Sequence, residues 1–312
     1  MTGSASVTWA EQAVVVRTPA TSANLGPGFD ALGLALALHD EVHARLTEGG
    51  LRIEVSGVGE RTAQLGEGHL VVRAMRATFD ALGGQPPGIS LRCQNAIPHG
   101  FGLGSSAAAI VAGILAARAL GGGQARLPDD AVLQLATDIE GHADNVAACL
   151  AGGLTIAWNS GSVRSLRLEP VPRLTPVLCV PAVPLATEAA RQVLPATVPH
   201  ADAARNAARS ALLVAALTQP APDASLLLDA TEDLLHQPYR ASSMPATAEL
   251  VAELRKAGIP AVVSGAGPAV LALVVPGVTA DAPAVAGIAA ESGKDWSVRA
   301  LEVDRDGAVV AS

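Results

Sequence analysis

The sequence predicts an α+β protein made of two layered units, and three observations carry that prediction. Strand-like and helix-like segments are intermixed without the regular strand–helix alternation of a doubly wound sheet. The chain has 312 residues, half of them hydrophobic, which is enough for one large domain or two ordinary ones. The pattern breaks at the turn Asn159–Gly161 and again along the Pro-rich stretch Pro170–Pro184, so the division is drawn as 13–160 and 161–312. Only 2% of residues are aromatic, so the core has to be built from Ala, Leu and Val.

In chain order, residues 1–12 read as a loose tail and Val14–Arg17 as the first strand, followed by a Gly-rich turn at Ala23–Gly28. Ala31–Leu38, Glu41–Leu46 and Leu51–Val55 are apolar or alternate with period two, which predicts a meander of strands. His69–Leu82 has helical spacing, with Leu70, Ala74, Ala77 and Ala81 on one face. Ile89–Cys93 is a strand. Ser105–Leu120 is a helix that opens on two serines and closes on Gly121. Asp129–Glu140 is a second helix of the same kind. Strands follow at Leu154–Trp158, Val163–Leu168 and Val177–Val180. The second half predicts helices at Thr187–Leu194, Asp202–Leu217, Asp223–Leu235, Thr247–Ala257 and Ala280–Ser292. Its strands are predicted at Ala261–Val263, Val270–Val274 and Val298–Val303.

Composition removes several classes of function. A net charge of -8 leaves no excess of Lys and Arg to neutralise nucleic-acid phosphates. The longest apolar runs, Ala107–Leu115 and Ala31–Leu38, are far shorter than a bilayer span, so no membrane role is expected. The N-terminal residues have no basic stretch followed by an apolar one, so no secretory signal is expected. Cys93, Cys149 and Cys179 are scattered and flanked by apolar residues, which predicts buried thiols in a reducing cytosol.

The most informative stretch is Ile97-Pro98-His99-Gly100-Phe101-Gly102-Leu103-Gly104-Ser105-Ser106-Ala107. Alternating glycines let backbone amides approach an anion, and the helix that follows adds free N–H groups and a partial positive charge. A capped helix behind a flexible loop would look the same, so the loop alone leaves both readings open. No G-x-x-x-x-G-K-[ST] string occurs, and the nearest, Gly287 to Lys294, has the wrong spacing. Lys256 and Lys294 are the only lysines, so phosphate charge has to be met by amides, arginines and metal. Two further glycine clusters stand far away: Thr18 to Asp30 (TPATSANLGPGFD), and Ser264-Gly265-Ala266-Gly267-Pro268-Ala269-Val270.

These three clusters, in this order, resemble the signature motifs of the GHMP kinases. Pro19-Ala20-Thr21 stands where mevalonate-type members carry Pro-Gly-Lys. TSANLGPGFD, Glu140 to Val146 (EGHADNV), Thr187 to Pro195 and Asp233 to Arg240 resemble the homoserine kinase branch, over nearly all of the chain from Val14 to about Val274. The resemblance implies a two-domain GHMP kinase fold: an N-terminal ATP-binding domain like the second domain of ribosomal protein S5, and a ferredoxin-like C-terminal domain. It implies phosphorylation of the L-homoserine side-chain hydroxyl by ATP with Mg²⁺, a cytoplasmic location and a homodimer. ATP is expected on Pro98, His99, Gly100, Phe101, Gly102, Leu103, Gly104, Ser105, Ser106 and Ala107, with Gly265 and Gly267. Mg²⁺ is expected on Ser106 and Glu140. The amino acid is expected among Asn24, Asp30, His142, Asn145, Arg191 and Arg240, and Asn24, Asp30, Ser106 and Glu140 are expected at the reacting centre.

Two positions depart from the family pattern. Phe101 stands where relatives often have Arg, and Ala269 replaces a frequent Thr. The residue chemistry suits the implied substrate, a small zwitterion with a primary hydroxyl. Arg191 and Arg240 offer planar forks to a carboxylate, and Asp30 offers a counter-charge to an ammonium. The competing readings are a GHMP kinase for a mevalonate or sugar alcohol, and a relative that binds ligand without turnover.

Overall fold

The computed structural model describes residues 9–10, 12–123, 126–185, 187–220 and 223–311. Most of the expected loose tail at 1–12 lies outside them. Trp9 and Ala10 are packed, the indole edge-on to Phe79 at 5.2 Å and the Ala10 N–H on Leu120 O.

The first sheet has seven strands: β1 (Val14–Ala23), β2 (Leu32–Thr47), β3 (Gly50–Gly57), β4 (Gly88–Asn95), β5 (Leu154–Asn159), β6 (Val163–Leu168) and β11 (Val309–Ala311). The two segments expected at 31–38 and 41–46 are one strand. Strand β2 slips register against β1 between Pro19 and Ala20, pairs with β5 over Leu32–Leu34, and pairs with β4 over Glu41–Thr47. That bend gives it two different pairing environments, which is why its sequence reads as two pieces. The expected boundary at 160 falls inside the β5–β6 hairpin, and β11 returns the chain end to β1.

Against this sheet pack α1 (Leu70–Leu82), α2 (Ser105–Leu120), α3 (Asp129–Glu140) and α4 (Asp144–Ala151). Helix α2 is apolar on nearly every side because it is central: Ile110, Val111, Ile114 and Ala117 are all buried. Gly113 lets α1 approach, since a Cβ there would lie 2.5 Å from Val71 O. Helix α4 is not among the expected elements. It begins at the Asp144–Asn145 pair and buries Val146, Ala147 and Cys149.

The second sheet runs in the order β10 (Trp296–Ala300), β7 (Thr175–Pro181), β9 (Val270–Val274), β8 (Ala261–Val263), all antiparallel. One face carries α9 (Pro245–Lys256) and α10 (Ala282–Glu291). Residues of the other face, such as Leu271 and Leu273, join the main core with Leu213 and Leu217 of α6 (His200–Thr218). Helices α5 (Thr187–Gln192), α7 (Ala224–Ala230) and α8 (Gln237–Arg240), with 3₁₀ turns at Glu60–Gly68 and Ala241–Ser243, complete the described elements. The helix expected over Asp223–Leu235 stops at Ala230. The Thr231 hydroxyl bonds back to Leu227 O, and Asp233 turns its carboxylate to the N–H groups of His236 and Gln237 at the start of α8. All three cysteines are buried and free. Burial pushes the Cys93 and Cys179 thiols up to about 12 and Cys149 well above its ordinary value, so they pack as apolar groups.

Candidate active site

The three glycine clusters, far apart in sequence, meet. Thr21 N–H donates to Leu103 O, Gly265 N–H donates to Ala23 O, and Ala269 N–H donates to Phe101 O. The Ser264 hydroxyl donates to Gly102 O at 2.7 Å, and Asn24 Nδ2 donates to Gly265 O at 2.8 Å. Two loop glycines are required by this seating. Gly102 and Gly104 both have positive φ, and a Cβ on either would lie about 2 Å from Ser264 O or Thr21 Oγ1 respectively. Gly265 lines the cleft between the clusters, while Gly267 stands behind the loop against Met244 and Val263.

This cleft encloses about 210 Å³. Of the expected site residues, Asn24, Gly100, Gly102, Leu103, Gly104, Ser105, Ser106, Glu140, His142, Asn145, Arg191, Arg240 and Gly265 line it. Asp30, Pro98, Phe101, Ala107 and Gly267 line neither it nor its neighbour described below, and Asp30 meets the lining only through its pair with Arg191 and its bond to Asn24. Phe101 packs on the core and keeps only its carbonyl in the loop network; Ala269 is buried and has no hydroxyl to offer.

At one end of the cleft is the N-terminus of α2. Ser106 Oγ donates to Glu140 Oε1 at 2.5 Å. Burial raises the Glu140 pKa, and the Ser106 bond and the charge of His142 oppose that rise. His142 Nδ1 lies 2.8 Å from Asp144 Oδ1, and its Nε2 lies 3.9 Å from Glu140. Burial alone would lower the His142 pKa, but the Asp144 bond and the two carboxylate charges outweigh it and raise it. Asn145 is fixed by the Thr21 hydroxyl, which donates to its Oδ1 at 2.7 Å. No group of three or more His, Cys, Asp or Glu side chains among the described residues could hold a metal ion unaided. Ser106 and Glu140 are two adjacent hard oxygens, a set that suits a cation whose remaining ligands are phosphates and water.

At the other end are two arginines in unlike settings. Arg191 and Asp30 form a forked ion pair at 2.9 and 3.4 Å, each about 40% exposed. Asp30 has φ 53, held by its own N–H donating to Asn24 Oδ1. Arg240 is 1% exposed. Its Nε donates to Ala190 O, its Nη1 donates to His236 Nδ1 at 2.9 Å, and its guanidinium lies over the Phe29 ring. Among the described residues no carboxylate stands within ion-pair distance of it, and burial, with the charge of Arg191, lowers its pKa. Its Nη2 makes no hydrogen bond to them either. His236 is therefore a neutral acceptor at Nδ1, and its Nε2–H donates to Gly26 O at 2.9 Å. Burial lowers its pKa, as this arrangement requires; the Asp233 carboxylate, 3.5 Å from Nε2, opposes that, and the charge of Arg240 adds to it.

A second pocket of about 370 Å³ opens on the far side of the loop and shares Ser105 and Ser106 with the cleft. Its walls are Val71, Ala108, Ala109 and Ala112, and its polar residues include Thr18, Asp40, His69 and His99. Of these only His99 is among the expected site residues. The other three come from separate segments: Thr18 opens the first glycine cluster without being assigned a role there, and Asp40 and His69 carry no local motif. Asp144 and His236 are likewise absent from the expected set, although both stand inside strings that the sequence singles out.

The pattern of the GHMP kinases N terminal domain matches residues 69–153, and that of the GHMP kinases C terminal matches residues 212–291. The chain is 57% identical over 300 residues to a homoserine kinase of Streptomyces coelicolor, covering 96% of this chain and 94% of the relative. It is 55% identical to a homoserine kinase of Streptomyces avermitilis over the same share of this chain. The crystal structure of homoserine kinase from Cytophaga hutchinsonii superposes with a TM-score of 0.80 at 27% identity, covering 98% of this chain and all of that one. Glycine clusters, two-sheet architecture and whole-length identity agree: the chain belongs to the homoserine kinase family of the GHMP kinases, with their two-domain α+β fold.

Proposed function

We propose that the cleft holds the γ-phosphate of ATP at the α2 end and L-homoserine at the arginine end, with transfer between them. The observation that carries the reading is that the Ser106–Glu140 pair and the buried Arg240, with no carboxylate partner among the described residues, open into one cleft. The triphosphate rests on the amides of Gly100–Ser106, with Gly265 on the cleft wall beside them and Gly267 supporting the loop from behind. The purine base lies in the second pocket between α1 and α2. Ser106 and Glu140 would hold Mg²⁺, which when bound would supply charge neutralisation for the phosphates.

The substrate carboxylate takes the free donors of Arg240 and Arg191, and its ammonium takes Asp30. Asn24, His142 and Asn145 hold the chain that ends in the hydroxyl. The hydroxyl oxygen bonds to the γ-phosphorus, the bond from phosphorus to the bridging oxygen breaks, and ADP leaves. The hydroxyl proton passes to the transferred phosphoryl group. A loose transition state asks for alignment and charge neutralisation more than for a strong base, and no side chain is assigned that task. The same reading keeps 13–160 as the nucleotide-side unit and 161–312 as the amino-acid side, with β6 and β11 returning to the first sheet. It includes a cytoplasmic homodimer; none of the described helices is long and apolar enough to cross a membrane.

A coupled assay of ADP release with homoserine, mevalonate, galactose and threonine tests the assignment, with one arm lacking Mg²⁺. Turnover is expected with homoserine and only with the metal present. Preference for mevalonate or galactose at matched concentration would sink it.

A further inference from the structure

Asn145 lines the cleft with one end of its amide already taken. The Thr21 hydroxyl, fully buried on β1, donates to Asn145 Oδ1 at 2.7 Å. Both partners are held from elsewhere. Thr21 pairs with Ala35 across the sheet and gives its N–H to Leu103 O, and the Asn145 N–H donates to Asp144 Oδ1 at the start of α4. Gly104 closes over the pair, since a Cβ there would run into Thr21 Oγ1 and lie 3.0 Å from Asn145 Oδ1. Asn145 Nδ2, by contrast, makes no hydrogen bond to the described residues and is not one of their buried unpartnered atoms. It therefore opens on the cleft, whose wall here also carries Asn24, Ser106 and His142.

The sense of the Thr21 bond decides which end of the amide the cleft receives. An amide carries an acceptor oxygen and a donor nitrogen on one planar fork, and the two exchange places by rotation of the side chain. With Nδ2 turned to Thr21 the hydroxyl could only accept. Its own proton would then be buried without an acceptor, because Asn145 Oδ1 is its one side-chain partner among the described residues. The hydroxyl thus keeps Oδ1 beneath Gly104 and leaves N–H donors for the ligand. Neither end of an amide takes up a proton near neutral pH, so what matters is the sense of its hydrogen bond. A donor holds an attacking oxygen by a lone pair and leaves its O–H free, whereas an acceptor holds the O–H itself.

We propose that Thr21 is a positioning residue for the transfer: its hydroxyl sets the Asn145 amide so that the cleft offers a donor, not an acceptor, to the oxygen that attacks the γ-phosphorus. The proposal rests on the placement of homoserine and the γ-phosphate in this cleft. Held by one lone pair, the substrate oxygen keeps the other for phosphorus, and its proton is free to point at the phosphoryl oxygens that receive it. Thr21 touches neither substrate and acts through Asn145.

The test is steady-state kinetics with ATP and homoserine each varied, in the unaltered protein and in Thr21→Val, Thr21→Ser and Asn145→Asp, with a thermal melt of each. Thr21→Val keeps the branched shape but frees the amide to turn its oxygen to the cleft. It should lower kcat by about 10- to 100-fold with both KM values within about three-fold of the unaltered protein. Thr21→Ser loses a methyl group but keeps the hydroxyl, and kcat should return to within about three-fold. A role in packing alone would rank these two variants the other way. Asn145→Asp keeps the shape and the Thr21 bond while offering only an acceptor, and should lower kcat at least as far as Thr21→Val. Should Thr21→Val fail to fold, Thr21→Ser against Thr21→Ala gives the same comparison. The proposal is overturned by an unchanged kcat in Thr21→Val, by Thr21→Ser falling as far, or by Asn145→Asp matching the unaltered protein. A rise in KM for ATP in place of the fall in kcat also overturns it, because Thr21 would then support the loop only. Failure of the unaltered protein to turn over homoserine removes the substrate placement and the inference with it. Homoserine turnover that is indifferent to Thr21→Val removes the inference alone.

Discussion

The two ends of the cleft are built from different material. The α2 end is mostly backbone: a glycine loop seated by amide and carbonyl bonds on two other glycine clusters, followed by a helix N-terminus. The opposite end is side chain: Arg191, Asp30, Arg240 and His236 brought together from three distant segments. A backbone-made site tolerates almost no added atoms, because its ligand groups cannot rotate away. A side-chain site degrades by steps, in proportion to how buried each member is.

The largest expected effect falls at the backbone end. Gly104→Val puts a branched side chain at φ 66, where even a Cβ would collide with Thr21 Oγ1. The loop then loses its seat against Thr21 and Asn145. Nucleotide titration by calorimetry should show no detectable ATP binding, and the melt should show a less stable protein, since the collision is with packed atoms. Wild-type affinity would mean that the phosphates do not rest on this loop.

The same contrast explains what the sequence can tell. Backbone sites announce themselves, because only glycine permits the conformations they need, and the three clusters stand out along the chain by composition alone. Helix α2 begins at Ser105 and ends at Leu120 as predicted, although neither serine caps it: the N-cap is Gly104 and Ser106 turns to Glu140, while β6 and β9 keep their predicted bounds. Strand β11 carries no such signal, because its three exposed residues have no apolar face to alternate. The Asp144–Asn145 string conceals a helix start, since short polar residues favour turns as readily as caps. The second pocket is illegible in the sequence for a deeper reason. Thr18, Asp40 and His69 meet only through the β1–β2 pairing and the packing of α1, and no spacing along the chain encodes that.

At the side-chain end, Arg240→Ala comes next in size. It removes a buried guanidinium and leaves the substrate carboxylate without its desolvated partner, a loss of about 2–5 kcal/mol. Steady-state kinetics should show kcat/KM for homoserine lower by about thirty-fold to a few thousand-fold, with KM for ATP little changed. A loss below about five-fold, or an equal loss for ATP, would remove Arg240 from the carboxylate site.

Arg191→Ala should cost less. Its pair with Asp30 is about 40% exposed, and such pairs contribute about 1 kcal/mol or less. The expected fall in kcat/KM for homoserine is about three- to ten-fold, with no change in Tm. If Arg191→Ala proved as damaging as Arg240→Ala, burial would not be what ranks the two arginines, and the contrast between members of this end would break.

The smallest effect concerns the residue that holds Arg240 in place. His236 accepts from Arg240 at Nδ1 only while it is neutral, and burial holds its pKa below the ordinary value of about 6.5. The unfolded chain therefore binds a proton at this position more readily than the folded one. The stability contributed by the neutral imidazole is present in full above about pH 6.5 and is lost as pH falls toward and through the lower folded value. His69, also lowered by burial, acts in the same direction, and Glu140, raised by burial, acts in the opposite one. His236→Gln keeps a neutral polar side chain there and removes only this titration. Melting temperatures at pH 7.5, 6.5 and 5.5 should fall more steeply in the unaltered protein than in the variant, by a few degrees at most. Parallel slopes would mean that His236 is not held neutral, and that the Arg240 guanidinium is fixed by Ala190, Gly265 and Phe29.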